Sequence, residues 1–176
     1  IGSGTILDTS RLRAKLSEYY GINQSNVHAY VFGEHGDSSF VPWSIANISN
    51  VPIHECNNLI PSSGELKPEL NFEEIERYVR TSGGIVIQRK GATFYAVSAS
   101  VCHICKCLSS GLGTTMTIST MMHGEYGIED VCLSTLNLVG NDGIRGKVNV
   151  PLTDEEIAKL QKSAETLKGV ISQLNI

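Results

Sequence analysis

Apolar residues recur at helical spacing from the first turns of the chain. Leu12, Leu16 and Tyr19 or Tyr20 form one stripe between about Leu7 and Gly21, beside a polar line of Asp8, Arg11, Lys15 and Glu18. Val27-His28-Ala29-Tyr30-Val31-Phe32 then reads as a buried strand. Val41 to Ile53 holds short strand-like pieces broken by Pro42 and Pro52, and the turn-rich residues 57–70 read as an exposed loop. A long helix begins at Asn71, whose spacing from Glu74 is that of a capping box. Ile75, Val79, Ser82 and Val86 share one of its faces, and Gly83-Gly84 marks a bend or a close contact. After Lys90-Gly91 a second helix runs from about Thr93 to Leu108, so rich in small and apolar residues that burial is expected.

From Thr114 the period changes to that of strands. Thr114–Met122, Val131–Leu138 and Ile144–Val150 are β-rich, and Gly140-Asn141-Asp142-Gly143 has hairpin-turn chemistry. Thr153 to Glu156 is a capping box opening a last helix, whose stripe of Ile157, Leu160, Ala164, Leu167, Ile171 and Leu174 must lie on the sheet or on another subunit. The pattern predicts an α+β fold, an antiparallel strand meander packed with long helices. It lacks the βαβ alternation of a doubly wound sheet.

Composition narrows the partners more than the fold. At 176 residues the chain can build one domain with a sizeable core, taken here as 1–176. A net charge of −4 gives no basic footprint for nucleic acid, and no apolar run approaches a membrane span. Five cysteines, an odd number without scaffold spacing, fit a reducing, cytoplasmic setting. The chain opens at Ile1 inside what reads as an ordered segment, so a piece of something longer is expected.

Candidate chemistry centres on Gly33-Glu34-His35-Gly36-Asp37-Ser38. An imidazole between glycines at a strand end is either a proton donor or a loop histidine satisfied by backbone. Gly2-Ser3-Gly4 and Gly111-Leu112-Gly113 lack the third glycine and preceding strand of a dinucleotide fingerprint. Cys102, His103, Cys105 and Cys107 spread around a helix axis, whereas structural zinc needs convergent ligands, so no metal is expected. Arg11 and Arg13 lie about 200° apart on their helix and cannot serve one site.

Leu7-Asp8-Thr9-Ser10-Arg11-Leu12-Arg13, Gly33 to Ser38, Lys90-Gly91-Ala92-Thr93, Gly124-Glu125-Tyr126-Gly127-Ile128 and Gly140 to Ile144 together resemble the L-lactate dehydrogenases of the lactate/malate dehydrogenase family. The resemblance spans essentially the whole chain and corresponds to that family's C-terminal catalytic domain, without the Rossmann domain. It implies an NAD-dependent, reversible reduction of pyruvate to L-lactate. His35 would be the proton donor and acceptor, Asp8 its orienting carboxylate, Arg11 the clamp on the substrate carboxylate, and Thr93 a pocket residue. Ser3 and Val97 match positions beside the nicotinamide. Arg13 and His28 match positions that bind fructose bisphosphate at a subunit interface in bacterial members, which implies an allosteric homotetramer. The rival readings are a malate or other L-2-hydroxyacid dehydrogenase of the same fold, and a non-catalytic domain for oligomerisation or ligand binding.

Overall fold

The computed structural model describes residues 1–59 and 69–174. Helix α1 (Ile6–Tyr20) is followed by a small meander of β1 (Val27–His28), β2 (Asn47–Ile48) and β3 (Val51–Pro52), and by the helical turn α2 (Cys56–Leu59). Two helices, α3 (Phe72–Lys90) and α4 (Tyr95–Ser109), lead into the main antiparallel sheet of β4 (Thr114–His123), β5 (Glu129–Gly140) and β6 (Gly143–Lys147). Helix α5 (Asp154–Ile171) closes the described chain. The fold is α+β, as the period change at Thr114 predicts.

Local chemistry explains the boundaries. Gly21 ends α1 in the left-handed region, the Asn71 side chain caps α3 by accepting from the Glu74 N–H, and Gly91 terminates it at φ 83°. Gly140 pairs with Gly143 across the Asn141-Asp142 turn. Thr153 and Glu156 complete a reciprocal capping box at α5.

Three apolar clusters hold these elements. Leu12, Leu16 and Tyr20 of α1 pack with Val27, Val31, Ile48, Ile53, Ile75 and Val79. Leu160 and Ala164 of α5 pack with Phe32, Phe40, Met122, Val131 and Leu133. Ile104 and Cys107 of α4 pack with Met116, Ile118 and Val139. The stripe of α5 therefore lies on the sheet, although its end, Ile171 and Leu174, is exposed.

Three expectations need correction. The run 27–32 is extended and largely buried, but only Val27–His28 forms a strand; Phe32 and Gly33 make isolated bridges to Phe40 and Ser134. Residues 57–59 are helical rather than loop, and 60–68 of the expected loop lie outside the described residues. Helix α4 is mostly exposed, Tyr95 at 71% and Val101 at 46%. Apolar content says a helix can be buried, not how many of its faces find partners within this chain. Only the Ile104–Cys107 side meets the sheet.

Candidate active site

The N-terminus of α1 is set onto the sheet by backbone too close for a side chain. Gly4 sits at φ 50°, and a Cβ there would come within 2.2 Å of Ser134 Oγ and 2.6 Å of the Ser119 N–H nitrogen. Next to it the Thr5 N–H donates to Ser134 Oγ at 3.1 Å, and Thr5 Oγ1 donates to the Val31 carbonyl. Thr9, one turn on, bonds Thr117 Oγ1 at 2.8 Å and accepts from the Val31 N–H. These bonds fix the rotation of α1. Asp8 is consequently 4% exposed, and Arg11 Nη1 donates to its Oδ1 at 2.9 Å.

His35 arrives from the other side. Gly33, at φ 97°, exchanges both backbone hydrogen bonds with Ser134 of β5, so one residue of the sheet locates both the start of α1 and the histidine loop. His35 Nδ1 lies 2.6 Å from Asp8 Oδ2. A carboxylate only accepts, so Nδ1 carries the hydrogen and Nε2 is left for a substrate. The hydrogen bond to Asp8 raises the imidazole pKa above its ordinary value, against opposing contributions from partial burial and the Arg11 charge.

Asp8, Arg11 and His35 line a cleft of about 460 Å³. Ser3, Thr93 and Val97 line the same cleft, so six residues singled out in the sequence from four separated segments are brought together. Arg13 and His28 are not among its lining. The Arg13 guanidinium donates from Nε to the Ala29 carbonyl at 3.0 Å, stacks over Tyr30 and borders a second cleft, in keeping with its opposed position on α1. His28 is exposed on β1, next in sequence to the carbonyl that Arg13 holds.

The sequence reading missed the floor supplied by α3. Arg80, Gly83, Gly84 and Ile87 line the cleft, at a spacing of three, four and seven residues that defines one helical face. This face lies beside the apolar stripe and carries no strong hydrophobic signal, though Gly83-Gly84 marks it. A Cβ at Gly83 would stand 3.9 Å from Arg11 Nη1, an ordinary contact distance, and one at Gly84 would meet nothing within 4 Å. Arg80 Nη1 donates to the Ser39 carbonyl and to Glu76, placing a second guanidinium at the rim. Among the cysteines, Cys107 turns into the core while Cys102 and Cys105 face out.

An α+β domain with a carboxylate-oriented histidine and an arginine in one cleft defines a class, and comparison with known proteins gives the same class. Residues 5–175 match the lactate/malate dehydrogenase, alpha/beta C-terminal domain family, and the chain belongs to it. Among its relatives it is 41% identical over 180 residues to an L-lactate dehydrogenase of Acetivibrio thermocellus, covering all of this chain and 55% of the relative. It is 42% identical over 173 residues to the L-lactate dehydrogenase of Clostridium botulinum, covering 98% of this chain and 53% of the relative. A solved L-lactate dehydrogenase from Clostridium thermocellum superposes with a TM-score of 0.89 at 36% identity, over all of this chain and 56% of that one. The chain thus spans about half the length of the relatives it matches.

Proposed function

We propose that this chain is the substrate-binding and catalytic domain, residues 1–176, of an NAD-dependent L-lactate dehydrogenase that reduces pyruvate reversibly to L-lactate in the cytoplasm. The observation that carries the reading is the 2.6 Å contact between His35 and Asp8 beside Arg11 in a single cleft. The names of the relatives favour lactate over malate.

The chemistry follows from the residues. The guanidinium of Arg11 pairs with the substrate carboxylate through charge-assisted hydrogen bonds, using donors that Asp8 leaves free. Thr93 borders the bound oxoacid. With the carboxylate held, the ketone oxygen lies toward His35, which gives its Nε2 proton to that oxygen as the carbon is reduced and takes it back in lactate oxidation. Asp8 keeps the imidazole in the productive tautomer and stabilises its charged form. When bound, the reduced cofactor NADH would supply the hydride for pyruvate reduction, and NAD would take it back in lactate oxidation. Ser3 offers a hydroxyl for its carboxamide and Val97 an apolar wall for its ring, a set that suits the nicotinamide end of the cofactor.

We assign Arg13 and His28 to an activator site for fructose bisphosphate, in an assembly of four copies where the sugar bisphosphate shifts a two-state equilibrium toward the substrate-competent form. Replacing Arg13 by Gln should abolish the activator's effect on apparent pyruvate affinity, and an unchanged effect removes the assignment.

The deciding experiment compares turnover of pyruvate and oxaloacetate by the complete enzyme. Preference for pyruvate, lost by roughly 10²–10⁴-fold in His35→Asn, is the expected result. Preference for oxaloacetate would make it a malate enzyme, and no turnover of either would favour a non-catalytic domain.

A further inference from the structure

The imidazole of His35 is 61% exposed at its side chain, so packing does not hold it. Its alignment rests on the Asp8 contact and on the backbone of its own loop. One side of that loop is fixed by the sheet through Gly33 and Ser134. The other side is closed by the backbone pairing of Phe40 with Phe32 and by Arg80 on the Ser39 carbonyl, and the turn between is clasped by one hydroxyl from the last helix. We propose that Ser163, on the inner face of α5, is a positioning residue that holds the His35 loop in register with Asp8; this rests on the reading of His35 as the acid.

Ser163 is 0% exposed, set beside Leu160 and Ala164 in the apolar face that packs on Phe32 and Phe40. A hydroxyl buried there is unfavourable unless its hydrogen bonds are met. Among the described residues they are met by the loop. The Glu34 N–H donates to Ser163 Oγ at 2.8 Å, and Ser163 Oγ lies 2.9 Å from Ser38 Oγ. Glu34 and Ser38 bracket His35, so one oxygen grips the loop before and after the histidine. Glu34 Oε1 also accepts from the Ser38 N–H at 3.1 Å and from Ser38 Oγ at 2.7 Å.

The donor assignment closes without a conflict. The carboxylate can only accept, so the Ser38 hydroxyl gives its hydrogen to Glu34 and must accept from Ser163. Ser163, having donated to Ser38, uses a lone pair for the Glu34 N–H. Gly33 fits the same arrangement. A Cβ there would stand 2.7 Å from Ser163 Oγ, so the missing side chain lets the loop reach the hydroxyl.

The test uses the complete enzyme with Ser163→Ala, Ser38→Ala and His35→Asn, following kcat/KM for pyruvate reduction across pH. Loss of the Ser163 clasp should lower kcat/KM at neutral pH on the order of tenfold. It should also move the alkaline limb to lower pH, because a loosened imidazole loses part of the Asp8 contact that favours its charged form. Ser38→Ala keeps Glu34 on Ser163 and should move the limb the same way by less; it carries the readout if Ser163→Ala fails to fold. A limb unchanged in the folded variants, with only Tm reduced, overturns the positioning role. If His35→Asn reduces pyruvate as well as the unaltered enzyme, the reading of His35 itself fails. An inactive His35→Asn beside an unchanged limb in the serine variants removes only the role of Ser163.

Discussion

Asp8 serves two partners at once, taking Arg11 on Oδ1 and His35 on Oδ2. That sharing predicts separable mutant behaviour. Asp8→Asn removes the charge behind the raised imidazole pKa, so the alkaline limb of pyruvate reduction should shift to lower pH, with kcat/KM reduced roughly 10²-fold; a pH profile of the variant checks it. Since the histidine pKa is raised on folding, the contact stabilises the fold below the unfolded pKa and is lost as pH rises through the folded one. Arg11→Lys keeps the positive charge near His35 but loses the planar fork. It should raise the KM for pyruvate by a factor corresponding to about 1.5–3 kcal/mol while leaving the pH limb in place, as steady-state kinetics on that variant will show. Much of this could be read before the fold was known, because Asp8, Arg11 and Arg13 sit on one helix whose geometry is fixed. The family resemblance pairs Asp8 with His35, but that Ser134 and Ser163 would hold the loop between them depends on contacts across long sequence separations. Alternating patterns carry no record of such pairings.

Helix ends and helix faces fared differently among the elements. The capping box at α5 is present in full, and it does more than end a helix. Glu156 is 7% exposed and accepts from the Ser44 N–H at 3.0 Å and Ser44 Oγ at 2.5 Å as well as from the Thr153 N–H, tying α5 to the turn after Pro42. Burial alone pushes this carboxyl up, but the hydrogen bonds from Ser44 and Thr153 outweigh it and hold the pKa below the ordinary value. The stability it contributes is therefore present above the unfolded carboxylate pKa and lost as pH falls through the depressed one. Glu156→Gln should cost about 1.5–3 kcal/mol at neutral pH, with the difference shrinking in acid; urea unfolding at both conditions measures it. Caps are legible because they depend on residues three apart. The cleft face of α3 is not legible in the sequence because Arg80, Gly83, Gly84 and Ile87 line the cleft without forming an apolar stripe. The extent of β1 was overestimated because an apolar run reports burial and not which backbone groups find partners.

At the scale of the molecule, the cleft is built by segments far apart in sequence, and one of its walls ends in exposed apolar surface. Ile87 at 50%, Phe94 at 45%, Tyr95 at 71% and Val97 at 37% lie where α3 passes into α4, at or near the positions proposed to meet the nicotinamide. On the proposed reading residues 1–176 supply the acid, its orienting carboxylate and the anion clamp, but the described residues hold no dinucleotide-binding sheet, and the chain spans 55% of an L-lactate dehydrogenase relative. A hydride donor held only at its nicotinamide end loses the binding energy of its remote parts, which in such reactions positions the reacting carbon. Residues 1–176 alone should therefore give no NADH-dependent pyruvate reduction, followed by NADH absorbance, under conditions where the complete enzyme turns over. Pyruvate should still contact the domain weakly through Arg11, and Arg11→Ala should remove the pyruvate-dependent shifts of His35 in an NMR titration. Measurable reduction by the isolated residues would mean that the cleft holds the whole cofactor unaided. The division proposed here, proton chemistry in this chain and hydride placement elsewhere, would then be wrong.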